Sequence, residues 1–171
     1  MLEDQAKEYI PAASEVELTN KPDWGSSSLP LVAEYKLKIP GWLSGAGRRA
    51  LLPVGIFSAA EKHVFDHSER EHPIYFSFPF EKLDDVTIAL PPGWQVNHLP
   101  PEQDEGSGSA VGYTLKIENN TQMLHLTRKL RVDVLLLDAK YYPTLRNFFQ
   151  VVRKGDEQQI VLQPGGASGG N

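Results

Sequence analysis

Cysteine is absent from the 171-residue chain, which removes disulfides, thiolate metal ligands and a cysteine nucleophile together. The redox compartment therefore leaves no mark, since cytosol and periplasm both suit a cysteine-free chain. Long apolar runs are missing too. The longest, Val134–Leu137, stops at Asp138, far short of the roughly 20 residues a membrane-crossing helix needs. The opening MLEDQAKEYIP has no basic stretch followed by an apolar one, so no secretory leader is expected in it. Basic residues are not in excess: the net charge is −5, which argues against a nucleic-acid partner, because phosphate binding requires a concentrated positive surface. There is no Gly-x-Ser-x-Gly motif, and Ser26–Ser28, Ser44, Ser107 and Ser109 fall in loops rather than on a rigid nucleophile turn.

What the chain does have is alternation. Within Gln122–Leu137, Leu124, Leu126, Leu130, Val132, Val134 and Leu136 fall on one side, and His125, Thr127, Lys129, Arg131 and Asp133 on the other. This predicts a long strand with one face in a core and one in water. Val111, Tyr113, Leu115 and Ile117 alternate in the same way, and Glu118-Asn119-Asn120-Thr121 separates the two runs. Asparagine tolerates the left-handed backbone of a tight turn, so the pair predicts an antiparallel hairpin. Shorter strands are expected at Glu15–Thr19, Leu31–Ile39, Arg49–Val54, Ile74–Phe78, Asp85–Leu90, Trp94–Leu99 and Ile160–Leu162.

Leu2–Ile10 reads as the last turns of a helix, as though the chain were cut from a longer one. Over Asp138–Lys154 the apolar spacing changes to three and four (Tyr142, Leu145, Phe148, Phe149, Val152), which predicts a helix with Pro143 in its first turn and Gly155 as its C-cap. Pro100–Ala110 is acidic and rich in Pro, Gly and Ser, the composition of a long mobile loop. The expected architecture is an antiparallel β-sandwich of about 8–10 strands with one short C-terminal helix near 140–154. The expected organisation is a helix remnant or linker over 1–12, the sandwich over 13–163 and a flexible tail over 164–171.

Few residues suggest chemistry. His63, His67 and His72 lie between residues 56 and 72 with Asp66, Glu69 and Glu71. On a helix, His63 and His67 would share one face, as zinc sites require. The segment has no HExxH pattern, however, and reads as an irregular connection whose histidines are solvated. Trp24, Trp42 and Trp94 are candidate ligand-binding residues, because sandwiches can hold glycans on aromatic platforms. The plainer expectation for Trp24 is a lid folded back on the core edge. Asp84 and Asp85 are adjacent, so on a strand they point to opposite faces and form no carboxylate pair. Arg128 occupies an inward position on an apolar face, which predicts a place at a sheet margin or a carboxylate partner. No cofactor is expected.

From Arg70 and Pro73, the sequence runs through Tyr75-Phe76-Ser77-Phe78-Pro79 and Asp84-Asp85-Val86-Thr87-Ile88 to Leu90-Pro91-Pro92-Gly93-Trp94-Gln95-Val96 and Leu99-Pro100. It resembles the C-terminal β-sandwich domain of bacterial multidomain proteins with a transglutaminase-like core. Tyr113-x-Leu115, Arg128-x-Leu130, Tyr142-x-x-Leu145-Arg146-x-Phe148 and Asp156-x-Gln158-x-Ile160-Val161-Leu162 agree, so the resemblance covers about residues 15–163. In that arrangement the Cys/His/Asp triad belongs to the preceding papain-like core, and no position here matches it. The resemblance implies a non-catalytic accessory or interaction domain whose partner is that core, in a parent of the bacterial envelope or periplasm. It also implies an apolar patch around Tyr9 and Ile10 that the core would cover. The alternative is a carbohydrate- or ligand-binding module using the exposed tryptophans.

Overall fold

The computed structural model describes residues 2–10, 12–58 and 64–165. Two four-stranded antiparallel sheets share one apolar core. The first contains β6 (Phe80–Ala89), β8 (Gln103–Ser107), β9 (Val111–Asn120) and β10 (Met123–Val132), in the order β6-β10-β9-β8. The second contains β3 (Ser44–Ala46), β4 (Arg49–Pro53), β7 (Trp94–His98) and β12 (Gln159–Pro164), in the order β3-β4-β12-β7. Two ribbons flank them: β1 (Glu15–Leu18) with β2 (Tyr35–Lys38), and β5 (Ile74–Tyr75) with β11 (Leu136–Leu137). The helices are α1 (Leu2–Tyr9) and α2 (Tyr142–Asp156), the latter entered through a 3-10 turn at Ala139–Tyr141.

The expected alternation decides which faces meet. Leu124, Leu126, Leu130 and Val132 of β10 are buried with Val111, Tyr113, Leu115 and Ile117 of β9, and the opposite sheet contributes Ala50, Leu52, Ile160 and Leu162. Tyr142, Leu145, Phe148 and Val152, the spaced face of α2, complete the same cluster. Fully burying one such aliphatic side chain stabilises by about 1.5–3 kcal/mol.

Several boundaries differ from the sequence expectation, each for a local reason. The Pro100–Ala110 region is not a loop throughout, because β8 pairs with β9 from Gln103↔Leu115 to Ser107↔Val111. As an outer strand with four of its five residues exposed, β8 needs no apolar alternation. Gly106 permits its close approach, since a Cβ there would stand 2.9 Å from the carbonyl oxygen of Val111. The Leu31–Ile39 strand shrinks to β2 because Asn20 captures its start: Asn20 Nδ2 donates to the Val32 carbonyl and Asn20 Oδ1 accepts from the Glu34 N–H. The Ser44–Ala46 stretch, expected within a connecting loop, forms the other arm of a hairpin with β4.

The long strand expected from Gln122 ends at Val132, and the chain re-forms as β11 in a separate ribbon with β5. At the β9–β10 turn the left-handed residue is Thr121 (φ +56°), not an asparagine. Gly155 is not a cap: α2 continues past it, and the Glu157 N–H closes the end on the Arg153 carbonyl. Ile10 is buried within this chain at 1% exposure and only Tyr9 is open, so the expected Tyr9/Ile10 patch is not there. Pro164, placed in the tail by composition, is the last residue of β12 opposite Trp94.

Candidate functional site

The sequence candidates do not assemble. His63 lies outside the described residues. His67 and His72 are exposed in an irregular connection, and the fixed group there is backbone, the His67 carbonyl accepting from the Tyr142 hydroxyl at 2.7 Å. Among the described residues no three histidines, aspartates or glutamates stand close enough to hold a metal ion. Trp24 is 63% exposed and is not the lid expected of it. Trp42 and Trp94 are half-buried against the core. The Trp42 Nε1–H donates to the carbonyl of Pro53, the strand partner of Gln159, whereas Trp94 pairs with Pro164. The two therefore sit at opposite ends of β12, about 16 Å apart along a strand that rises roughly 3.3 Å per residue. They form no common platform.

What the fold does build is a charge cluster around the buried Arg128. Its place on β10 is central, between β6 and β9, and not at a margin; of the two expectations, the carboxylate partner is the one that holds. Arg128 is 2% exposed. Its Nε and Nη2 donate to the two carboxylate oxygens of Asp156 at 2.6 and 2.8 Å, and its Nη1 reaches Asp84 Oδ2 at 3.3 Å. The Tyr113 hydroxyl donates to Asp156 Oδ1 at 3.0 Å, and the guanidinium lies 5.8 Å from the centre of the Tyr113 ring. This is the planar, two-point pairing that arginine makes with carboxylate.

Four elements meet here: β6 brings Asp84, β9 Tyr113, β10 Arg128 and the last turn of α2 Asp156. An acid in the last turn of a helix opposes the helix dipole, so Asp156 near an unmatched inward arginine was a signal available in the sequence. Gly155 makes the approach possible, since a Cβ there would lie 2.9 Å from two Tyr113 ring carbons. Burial alone would lower the Arg128 pKa, but hydrogen bonding and charge from Asp156, with Asp84 and Tyr113 adding to them, raise it above its ordinary value. The guanidinium is a permanent cation.

Burial, then the Asp156 charge, push the Tyr113 phenol well above its usual value. The folded protein thus keeps a proton that the unfolded chain releases above about pH 10. The resulting stability is complete below that pH and falls as pH rises beyond it, by about 1.4 kcal/mol per unit from this group. Urea unfolding between pH 9 and 11 should therefore show a steeper loss for the native sequence than for Tyr113→Phe, and parallel slopes would refute the assignment. The cluster ties these four elements together, with one guanidinium held between two carboxylates whose side chains keep 20% and 13% exposure.

A second feature was not foreseen. A cleft of about 910 Å³ runs beside α2 and is walled by Phe65, Phe76, Phe149 and Val152, with Arg146 at its side. Phe65 packs on Phe76, Tyr142 and Phe149 with ring centres 5.0–6.3 Å apart.

These features define an antiparallel sandwich domain with an internal ion cluster. The chain belongs to the family described as Domain of Unknown Function with solved-structure structure (DUF3858), whose model matches residues 48–162. A comparison with curated proteins gives no match. The fold is similar to part of a crystal structure from Parabacteroides distasonis described as a "putative protease". The TM-score is 0.56 at 14% identity, and the match covers 67% of this chain and 23% of that one. At that identity the likeness is one of fold.

Proposed function

We propose that this chain is a non-catalytic accessory domain of a larger bacterial envelope protein, packing on a transglutaminase-like core of the same polypeptide. One observation carries the reading: the structure it resembles devotes only 23% of its length to the matching region, so the sandwich serves there as one part of a longer chain. The sequence resemblance supplies the identity of the core. The surface agrees with a docking role. On the β5–β11 ribbon, Tyr75 and Leu136 are directly paired and 70% and 64% exposed, with Phe78 and Leu135 open nearby. Paired exposed apolar side chains on a ribbon form the kind of patch that marks an interface.

Hydrogen exchange on the full-length parent and on this chain alone tests the proposal. Peptides covering 74–78 and 134–137 should exchange more slowly in the parent. Equal exchange everywhere, or hydrolysis or acyl transfer by the isolated chain, overturns it.

A further inference from the structure

Arg146 has no carboxylate partner among the described residues. It is half-buried on α2, and its Nη1 and Nη2 face only the neutral amide oxygen of Gln150, at 3.2 and 3.3 Å once that amide is turned toward them. Its Nε is sealed from water and hydrogen-bonded to nothing. Leaving a guanidinium N–H buried and unmatched is costly, and such a group calls for an explanation, of which an absent ion or partner is one. The cation borders the 910 Å³ cleft, whose lining also includes Lys82, Arg153, Asp66, Asp156 and Glu157. Asp156 is already held by Arg128 and Glu157 by Arg153, and the volume is within the range of small-molecule sites.

The lining carries a second sign of adaptation. Phe65 holds φ at +63°, a left-handed conformation that a bulky L residue adopts only when its surroundings enforce it. Its ring is fixed against Phe76 and Phe149, so the strained backbone presents an aromatic surface to the cleft.

We propose that this cleft binds a small apolar carboxylate, with the hydrocarbon or aryl body against Phe65, Phe76, Phe149 and Val152 and the carboxylate on Arg146. Arginine suits this role because its planar fork matches the two oxygens of a carboxylate. The site is independent of any adjoining core, so it stands or falls apart from the accessory role.

Titration calorimetry and NMR shift mapping on the full 171-residue chain with octanoate and with 3-phenylpropionate test it directly. At least one acid should bind and shift the resonances of Phe65, Phe149 and Arg146, and the matching amides, octanamide and 3-phenylpropanamide, should bind at least tenfold more weakly. Arg146→Gln should weaken the acid by about tenfold or more, as loss of a charge-assisted pair implies, and leave the amide unchanged. Because the acid-to-amide comparison uses the unaltered protein, it holds even if the variant folds poorly. Equal binding of acid and amide, no binding of either acid at millimolar concentration, or shifts confined to other surfaces would each overturn the proposal.

Discussion

Replacing Arg128 with methionine is expected to lower the free energy of unfolding by about 3–5 kcal/mol, the cost of leaving a buried carboxylate without its counter-charge. Asp156 loses two short hydrogen bonds and a full charge, and among the described residues the Tyr113 hydroxyl is the side chain left to it. Asp84 is less affected because its side chain keeps 20% exposure. The complementary variant, Arg128→Met with Asp156→Leu, removes both charges and should recover much of the loss. Apolar replacement of a buried pair is often close to neutral, whereas breaking it is not. A double-mutant cycle by urea denaturation should give a coupling of at least about 2 kcal/mol. Single-variant losses under about 1 kcal/mol would show that the cluster contributes little.

Gly155→Ala is the second large effect. The added methyl would overlap the Tyr113 hydroxyl and stand 2.9 Å from two carbons of its ring. That ring is 1% exposed in the middle of β9 and has nowhere to swing, so α2 must lift or the hydroxyl must leave Asp156. Overpacking of this kind costs about 3 kcal/mol at the upper end of its usual range. It acts against the slight gain alanine brings to a helix interior. Tyr113→Leu in the alanine background makes room, and the pair should destabilise by less than the sum of the two single changes. Simple additivity in thermal or urea unfolding would place the strain elsewhere.

The parts of the fold legible in sequence were those with a single strong period. The β9 and β10 alternation, the three-and-four spacing of Tyr142, Leu145, Phe148 and Val152, and the inward register of Arg128 each follow from which atoms must leave water. The parts that were hidden depend on partners distant in sequence. The strand Gln103–Ser107 carries no pattern because only its ladder to β9 holds it. Residues 31–34 look like a strand until Asn20, more than ten positions away, takes their backbone groups. Two glycines taken for loop and cap residues, Gly106 and Gly155, are instead points of close contact. The tryptophans drew attention by type, yet two are half-buried against the core near opposite ends of β12. The cleft could not be seen at all, since its lining comes from six separated stretches, from Tyr9 to Glu157.

The interior charge also settles how the strands align. Sliding β10 by two residues along its neighbours would keep leucines and valines facing inward, so hydrophobic contact alone separates such alignments poorly. The same slide would carry the guanidinium roughly 7 Å from Asp156 and strand both ions among hydrocarbon. Arg128 thus works as a key cut for one lock: an apolar pair could replace it and Asp156 at little cost, but only the charge penalises every neighbouring alignment that would otherwise pass.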